Sequence, residues 1–252
     1  LEQLNANLDH LVEERTQQLQ REQAQKQQMI MQVLHDVRSP IFVLKGCMQQ
    51  MEAKDDAQRR NLTTMRQRLE MLEGLSDDLF LSVKLENHEL AFVFDEVCLN
   101  ELLTHLAEAH QISAQQKQIQ MNLIVPAQPI WVWADDLRLQ RVFDNLLRNA
   151  IAHTPEQGMI GLECIINQDQ AEIRVCDTGE GIRQEELPHL FDAFYTGNRS
   201  QGSGLGLAIA REIVEAHRGT IEVEATSKEG TVFLVRLKML NSTSDSVPDL
   251  NQ

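Results

Sequence analysis

The glycine residues of this 252-residue chain are distributed unevenly. Only Gly46 and Gly74 precede residue 125, whereas ten of the twelve glycines lie from Gly158 onward. Glycine interrupts helices and permits tight turns, so its scarcity allows long helices in the first part and its frequency predicts turns and strands in the second. We therefore expect a helical region followed by a mixed region.

The apolar residues of the first region follow helical spacing. The 3-4-3 spacing of Leu1, Leu4, Leu8 and Leu11 predicts a coiled-coil helix over residues 1–29, with a solvated single helix as the alternative. Two further stripes predict an antiparallel helical hairpin over residues 30–87. Because one stripe per helix cannot enclose a core, we expect a homodimeric four-helix bundle. The stripes are Ile30, Val33, Val37, Ile41, Leu44, Met48 and Met51, and then Leu62, Met65, Leu69, Leu72, Leu79 and Val83.

The region over residues 91–240 is predicted to be an α+β sandwich, with helices on one face of a mixed sheet. Strands are expected at 92–97, 121–125, 130–133, 159–166, 171–176, 220–225 and 231–237, and helices at 101–115, 136–152 and about 205–216. Asp135 can cap the second of these helices. The polar residues 241–252 predict a disordered tail.

The composition excludes several classes of protein. The formal net charge of −15 argues against nucleic-acid binding, which needs cations on phosphates. No apolar run is long enough to cross a bilayer, and no signal peptide pattern is present. The four cysteines have no C-x-x-C spacing and lie in apolar runs, which predicts buried, reduced thiols in a cytosolic protein.

His35 is the first residue with a candidate chemical role. On the predicted helix it lies about 160° from the centre of the apolar stripe and should face solvent. Asp36 is its neighbour and Ser39 follows at i+4, so the histidine could act as a nucleophile with one ring nitrogen held by the acid. An ordinary surface histidine is the alternative.

Three further groups occur in the second region. Asn145, Asn149 and His153 recur at four-residue steps on one helix face. The run from Asp177 to Ile182 leaves a strand into a glycine turn, where a carboxylate can accept a hydrogen bond from an exocyclic amine. The alternatives are exposed amides and a turn without a ligand.

The run from Gly202 to Ala208 has alternating glycines that lead into a helix. Free N–H groups and the positive end of the helix dipole make it a candidate phosphate site, and a flexible hinge is the alternative. It lacks the preceding strand of a dinucleotide-binding motif and the Gly-Lys-Ser/Thr ending of a P-loop, so those two folds are disfavoured.

Taken in order, these motifs resemble the H, N, G1, F and G2 boxes of two-component sensor histidine kinases, with Phe191–Tyr195 as the F box. The resemblance implies the sandwich of the histidine kinase and chaperone type of ATPase, and it identifies residues 1–29 with the signalling helix of such kinases. It implies ATP-dependent autophosphorylation on His35 and transfer to an aspartate of a response-regulator receiver domain.

The resemblance also assigns roles. His35 is the phosphoacceptor, Asp36 orients or deprotonates it, and Ser39 positions a water for dephosphorylating the receiver. Asn149 ligates Mg²⁺ with support from Asn145. The other implied ATP-binding residues are His153 beside the base or ribose, Asp177 on the adenine amine, Gly179 and Gly181 around the base, Gly202, Gly204 and Gly206 over the phosphates, Thr231 near the aspartate, and Ile182, Tyr195 and Leu205.

Two departures from the family leave alternatives open. Many relatives have Lys or Arg where this chain has Ala152, for which Arg148 or Arg199 are candidate substitutes, and the lid over residues 196–201 is short. A degenerate kinase that acts as a dimeric scaffold is one alternative, and a chaperone or mismatch-repair type of ATPase is another. The expected kinase is a cytoplasmic portion whose upstream sensor, with or without an anchor in the cell membrane, lies outside this chain.

Overall fold

The computed structural model describes residues 55–86, 90–196 and 204–240, together with positions 15, 18, 30, 32, 33, 37, 38, 40–48 and 51. The chain divides into two compact units, Leu1–Asn87 and His88–Gln252. Nearly all of the predicted coiled coil, the whole predicted tail, and His35, Asp36, Ser39 and Gly202 lie outside the described residues. In the part that is described, no helix combines the length and apolar character that a membrane span needs.

The first unit contains two antiparallel helices. Residues 40–48 form α1, with the described positions between 30 and 38 also helical, and α2 spans Asp56–Glu86. Lys45 Nζ of α1 donates to Glu73 Oε2 at 2.6 Å, and Arg38 Nε, at a helical position before α1, donates to Asp77 Oδ1 at 3.0 Å. The earlier residue therefore meets the later part of α2, as in an antiparallel pair. The Arg38 guanidinium also lies 4.6 Å from the centroid of the Phe80 ring.

The apolar stripes of the first unit are only partly covered within one chain. Ile41 and Met48 are buried, as is Val83 on α2. Six other members of the stripes expose large apolar side chains to solvent: Val33, Val37, Leu44, Met51, Met65 and Leu72. The hairpin by itself therefore leaves apolar surface for another partner.

The second unit is built on a five-stranded mixed sheet of order β2-β4-β5-β7-β6, in which only β2 and β4 are parallel. A separate antiparallel pair joins β1 and β3. The strands are β1 (Asp95–Cys98), β2 (Gln120–Ile124), β3 (Trp131–Ala134), β4 (Met159–Asn167), β5 (Gln170–Asp177), β6 (Thr220–Ser227) and β7 (Gly230–Lys238). The helices are α3 (Leu99–Gln116), α4 (Asp136–His153) and α5 (Gly206–Ala216), with a 3-10 turn at Leu187–His189.

The period of two along the strands separates a core face from a charged face. Ile173 and Val175 of β5 are fully buried together with Phe143 of α4. On the other face Arg174 bridges Glu172 and Glu224, at 2.9 and 2.7 Å. The sandwich of helices over a mixed sheet was predicted from the sequence and is confirmed.

The predicted burial of the cysteines holds for part of the set. Cys98 and Cys164 are buried and Cys176 is half-buried. Burial raises the pKa of the Cys164 thiol to about 12, which makes it unreactive. For Cys47 the prediction was wrong, because its side chain is exposed beside the buried Met48 of the stripe.

The first strand is shorter than predicted. It begins at Asp95 and not at Phe92, because the preceding residues are held by contacts outside any strand ladder. The Val93 N–H donates to Asp135 Oδ2 at 2.9 Å, and the rings of Phe92 and Phe94 pack on His217. Asp135 also accepts from Arg138 N–H at 3.1 Å, which confirms the predicted helix cap.

The buried His217 uses both ring nitrogens. Nε2 accepts from the Asp135 N–H at 2.9 Å, so Nδ1 carries the proton and donates to the Ile213 carbonyl at 2.7 Å. Burial lowers the pKa of His217, against the opposing effects of the Ile213 carbonyl and the Asp135 carboxylate. The fold therefore requires the neutral imidazole.

We expect this histidine to make the second unit acid-sensitive. The unfolded chain takes up the proton first as the pH falls below about 6.5, so stability is present above that pH and is lost towards the lower pKa of the folded state. Both tryptophans, Trp131 and Trp133, lie in β3, so urea unfolding followed by tryptophan fluorescence reports on this unit. Between pH 7.5 and 5.5 the free energy of unfolding should fall less in His217→Gln, which keeps an acceptor and a donor, than in the unmodified protein. Equal slopes would contradict the assignment.

Candidate active site

Asp177 ends β5 with its carboxylate in a partly buried position. Its Oδ1 accepts from the Gly179 N–H at 2.8 Å, and the backbone N–H of Thr231, its partner across the β5–β7 ladder, also bonds the carboxylate. Burial raises the pKa of Asp177, opposed by these two donors and by the nearby His153. A carboxylate has about four acceptor positions, so it can accept from a further donor.

Gly179 brings the Asp177 turn against the end of α4. A Cβ at this residue would lie 2.7 Å from Asp177 Oδ1 and 2.8 Å from the His153 carbonyl oxygen. Only glycine permits that approach. The turn therefore holds Asp177 next to the helix residue His153.

Gly181 and Ile182 pack against the end of β6. Gly181 has φ +73°, and a Cβ there would lie 1.8 Å from the Ser227 carbonyl oxygen. The Ile182 N–H donates to Thr226 Oγ1 at 2.8 Å, and that oxygen lies 3.3 Å from Thr231 Oγ1. Sequence reasoning missed Thr226, and only the cross-strand register that pairs it with Thr231 would have indicated it.

Asn145 connects α4 to the start of α5. Its Nδ2 donates to the Gly206 carbonyl at 2.9 Å, and a Cβ on Gly206 would lie 3.5 Å from Asn145 Cγ. Asn149 follows one turn later and His153 after another, with a rise of about 6 Å for each four residues. The face of α4 therefore joins the start of α5 to the Asp177 turn.

The residues on either side of positions 197–203 are in contact. The Phe194 N–H donates to the Gly204 carbonyl at 3.0 Å. Gly204 has φ +71°, and a Cβ there would lie 2.6 Å from the Tyr195 carbonyl oxygen. Leu205 is buried, and the Tyr195 ring packs on His189 with centroids 5.7 Å apart.

Of the two candidate substitutes for a cation at position 152, the structure describes Arg148. Arg148 is 71% exposed, and its Nε lies 3.0 Å from Asp144 Oδ2. Asp144 Oδ1 in turn lies 2.9 Å from His110 Nε2 on α3, so the guanidinium is tied to an ion-pair cluster. Arg199 lies outside the described residues.

The structure therefore forms two clusters from the predicted residues. The Asp177 cluster contains His153, Asp177, Gly179, Gly181, Ile182 and Thr231, and the Gly206 cluster contains Asn145, Tyr195, Gly204, Leu205 and Gly206. Asn149 lies between them on α4. Among the residues described, no group of three or more His, Cys, Asp or Glu side chains is placed to hold a metal ion.

Comparison with known proteins gives the class to which this fold and site belong. Residues 134–241 match the family model of histidine kinase-, DNA gyrase B- and HSP90-like ATPases. The chain is 30% identical over 226 residues to the sensor histidine kinase RppB of Synechocystis, covering 86% of this chain and 50% of RppB. It is 28% identical over 252 residues to the sensor histidine kinase YcbM of Bacillus subtilis, covering 95% of this chain and 81% of YcbM.

Solved structures agree with this class. Full-length ShkA, in complex with AMPPNP, has the same fold with a TM-score of 0.73 at 24% identity, over 86% of this chain and 47% of ShkA. The catalytic domain of the histidine kinase ThkA aligns at 30% identity with a TM-score of 0.54, over 58% of this chain and 96% of that domain. The chain belongs to the sensor histidine kinases, and it spans half the length of RppB.

Proposed function

We propose that this chain is the kinase core of a two-component sensor, which transfers the γ-phosphoryl group of ATP to His35 and then to an aspartate of a receiver domain. The observation that carries the proposal is the pair of clusters joined by one face of α4. Asn145 and His153, at the two ends of that face, are about 12 Å apart along the helix axis. The family of ATPases matched by residues 134–241 supports it.

The Asp177 cluster is the proposed adenine site. Its carboxylate is held by two N–H donors and retains acceptor positions for the exocyclic amine. The backbone at Gly179 and Gly181 carries no side chain that would block a flat ring. Ile182 and Thr231 complete the site, with His153 beside the base or ribose.

The Gly206 cluster is the proposed phosphate site. Gly204 and Gly206 precede and begin α5, where free N–H groups and the helix dipole favour an anion. Asn145 fixes this helix start through the Gly206 carbonyl, and Leu205 beside it is buried. The proposed site also includes Tyr195, and Gly202 by its resemblance to the phosphate-binding glycines of the family.

The fit to Mg²⁺ depends on Asn149. Its amide oxygen is a hard ligand of the kind that Mg²⁺ accepts, and Mg²⁺ takes most of its other ligands from phosphates and water. The lack of a carboxylate cluster in the described residues agrees with a metal that arrives with the nucleotide. When bound, Mg²⁺ would neutralise negative charge on the phosphates. The chain as a whole has no excess positive charge to do so, because its own net charge is −15.

The proposed reaction forms a bond between Nε2 of His35 and the γ-phosphorus while the bond to the β-phosphate oxygen breaks and ADP leaves. Asp36 accepts a hydrogen bond from the Nδ1–H of the ring, which fixes the tautomer whose Nε2 lone pair attacks, and it takes that proton as the Nε2–P bond forms. We propose that Ser39 acts in the dephosphorylation of the receiver. An unchanged rate of receiver dephosphorylation in Ser39→Ala would exclude this role.

Labelling with γ-labelled ATP and Mg²⁺ tests the kinase proposal. We expect acid-labile, base-stable label on the protein and none on His35→Ala, because no other group is proposed to accept the phosphoryl. His105→Ala, which removes an exposed histidine of α3, is the matched control and should label normally. Label that persists on His35→Ala would refute the proposal, whereas ATP binding without any label would favour the degenerate scaffold.

We also propose that the chain is a homodimer through the first unit. The support is the set of stripe residues left exposed in one chain, such as Leu44 on α1 and Leu72 on α2. Packing these faces together in a four-helix bundle removes them from water. Light scattering that gave the mass of a single chain at micromolar concentration would contradict this assembly.

A further inference from the structure

The end of α4 leaves four backbone carbonyls without partners inside the helix, those of residues 150–153. The Ala150 carbonyl accepts from the N–H of Thr154 at 2.9 Å and from its Oγ1 at 2.7 Å. The His153 carbonyl lies against Gly179. The two remaining carbonyls, of Ile151 and Ala152, are bound by a side chain from another helix.

That side chain is Lys117, the residue that caps the C-terminus of α3. Its Nζ donates to the carbonyls of Ile151 at 2.7 Å, Ala152 at 2.9 Å and Thr154 at 3.1 Å. An ammonium group has three N–H donors, so all of them are used. The positive charge also lies at the negative end of the α4 dipole, where it is favourable.

The same helix end carries part of the proposed adenine site. The His153 carbonyl sets the position of Gly179, whose N–H holds Asp177 Oδ1. His153 is the only basic residue in the last turn of α4, since position 152 is alanine. Lys117 therefore supplies from α3 a permanent cation that this turn lacks.

We infer that Lys117 is a positioning residue of the nucleotide site, which rests on the proposed function. It fixes the last turn of α4 and through it His153, Gly179 and Asp177, without touching the nucleotide. A purely structural lysine would lower the melting temperature and leave the affinity of the folded protein unchanged. A positioning lysine lowers the affinity for any adenine nucleotide, because the perturbed end of α4 is the one next to the base.

The test is calorimetric titration of the full chain with Mg-ADP and with a non-hydrolysable ATP analogue. We expect Lys117→Met to weaken the binding of both nucleotides about tenfold and by the same factor, because the Gly206 cluster, the proposed phosphate site, lies at the start of α5 and away from this helix end. Lys117→Arg keeps the charge and should bind within about threefold of the unmodified protein. Lys238→Met removes the same charge at the last residue of β7, whereas Thr231 lies near the first. The nucleotide affinity of this variant should not change.

Two results would overturn the inference: a folded Lys117→Met that binds ADP as the unmodified protein does, or a loss confined to the ATP analogue. If tryptophan fluorescence shows that Lys117→Met is unfolded, Lys117→Gln is titrated instead and judged by the same criterion. Glutamine keeps two N–H donors without the charge. An unmodified protein that binds neither nucleotide would overturn the proposed function itself, and the inference with it.

Discussion

Asp177→Asn should weaken the binding of adenine nucleotides about 100-fold while the second unit remains folded. The new amide oxygen can still accept from the Gly179 N–H, so the turn can keep its shape. The new NH₂ group is a donor, so it cannot accept a hydrogen bond from the adenine amine. Asp169→Asn makes the same change just before β5, in an exposed turn, and should bind nucleotide normally.

Comparing two nucleotides that differ only in the base distinguishes a loss of adenine recognition from general damage to the site. Hypoxanthine presents an oxygen where adenine presents the amine, so the amide introduced by Asp177→Asn can donate to it, which the ionised carboxylate cannot do. We therefore expect the ratio of ADP to IDP affinity to fall sharply in this variant. Calorimetric titration with both nucleotides measures this ratio. A folded variant that kept both the ADP affinity and the ratio would exclude Asp177 as the adenine acceptor.

The elements of the second unit were predictable because their signals are local. The helix expected over 136–152 is observed as Asp136–His153, and its Asp135 cap follows from a preference that acts within three residues. The strands expected at 159–166 and 171–176 are observed as Met159–Asn167 and Gln170–Asp177. Alternation and turn residues contain that information in the sequence itself.

The error at β1 has the opposite cause. The apolar run that begins at Phe92 has the composition of a strand, but Phe92 and Phe94 contact a histidine more than a hundred residues later in the chain. The Val93 N–H meets a side chain and not a neighbouring strand. Tertiary contacts of this kind override local propensity.

The candidate site divides in the same way. The residues on one helix face, Asn145, Asn149 and His153, could be grouped from their spacing alone. Lys117 and Thr226 could not, because each acts through a partner on a distant segment that only the fold brings near. A lysine beside a glutamine-rich stretch carries no local sign that it will bind the end of another helix.

Gly181 shows how strongly the backbone itself determines the proposed site. With φ +73° it adopts a conformation that L side chains rarely take, and an added Cβ would lie 1.8 Å from the Ser227 carbonyl oxygen and 2.7 Å from its carbon. Those neighbours are backbone atoms of β6 next to the turn into β7, so neither can move without moving the chain. We expect a shift of either segment to disturb the adjacent bond from the Ile182 N–H to Thr226 Oγ1.

Gly181→Ala should therefore reduce the affinity for adenine nucleotides about 100-fold or more, with a smaller effect on the unfolding of the second unit, because the displaced loop lies outside the buried core. Gly161→Ala is the matched control, since its Cβ would meet only Cys176 Cβ at 3.6 Å and its φ is ordinary. Calorimetric titration with Mg-ADP and urea unfolding followed by tryptophan fluorescence measure the two effects separately. Nucleotide affinity within about twofold of the unmodified protein would mean that the loop from Gly179 to Ile182 does not contact the base, and the adenine site would then have to be sought elsewhere along α4.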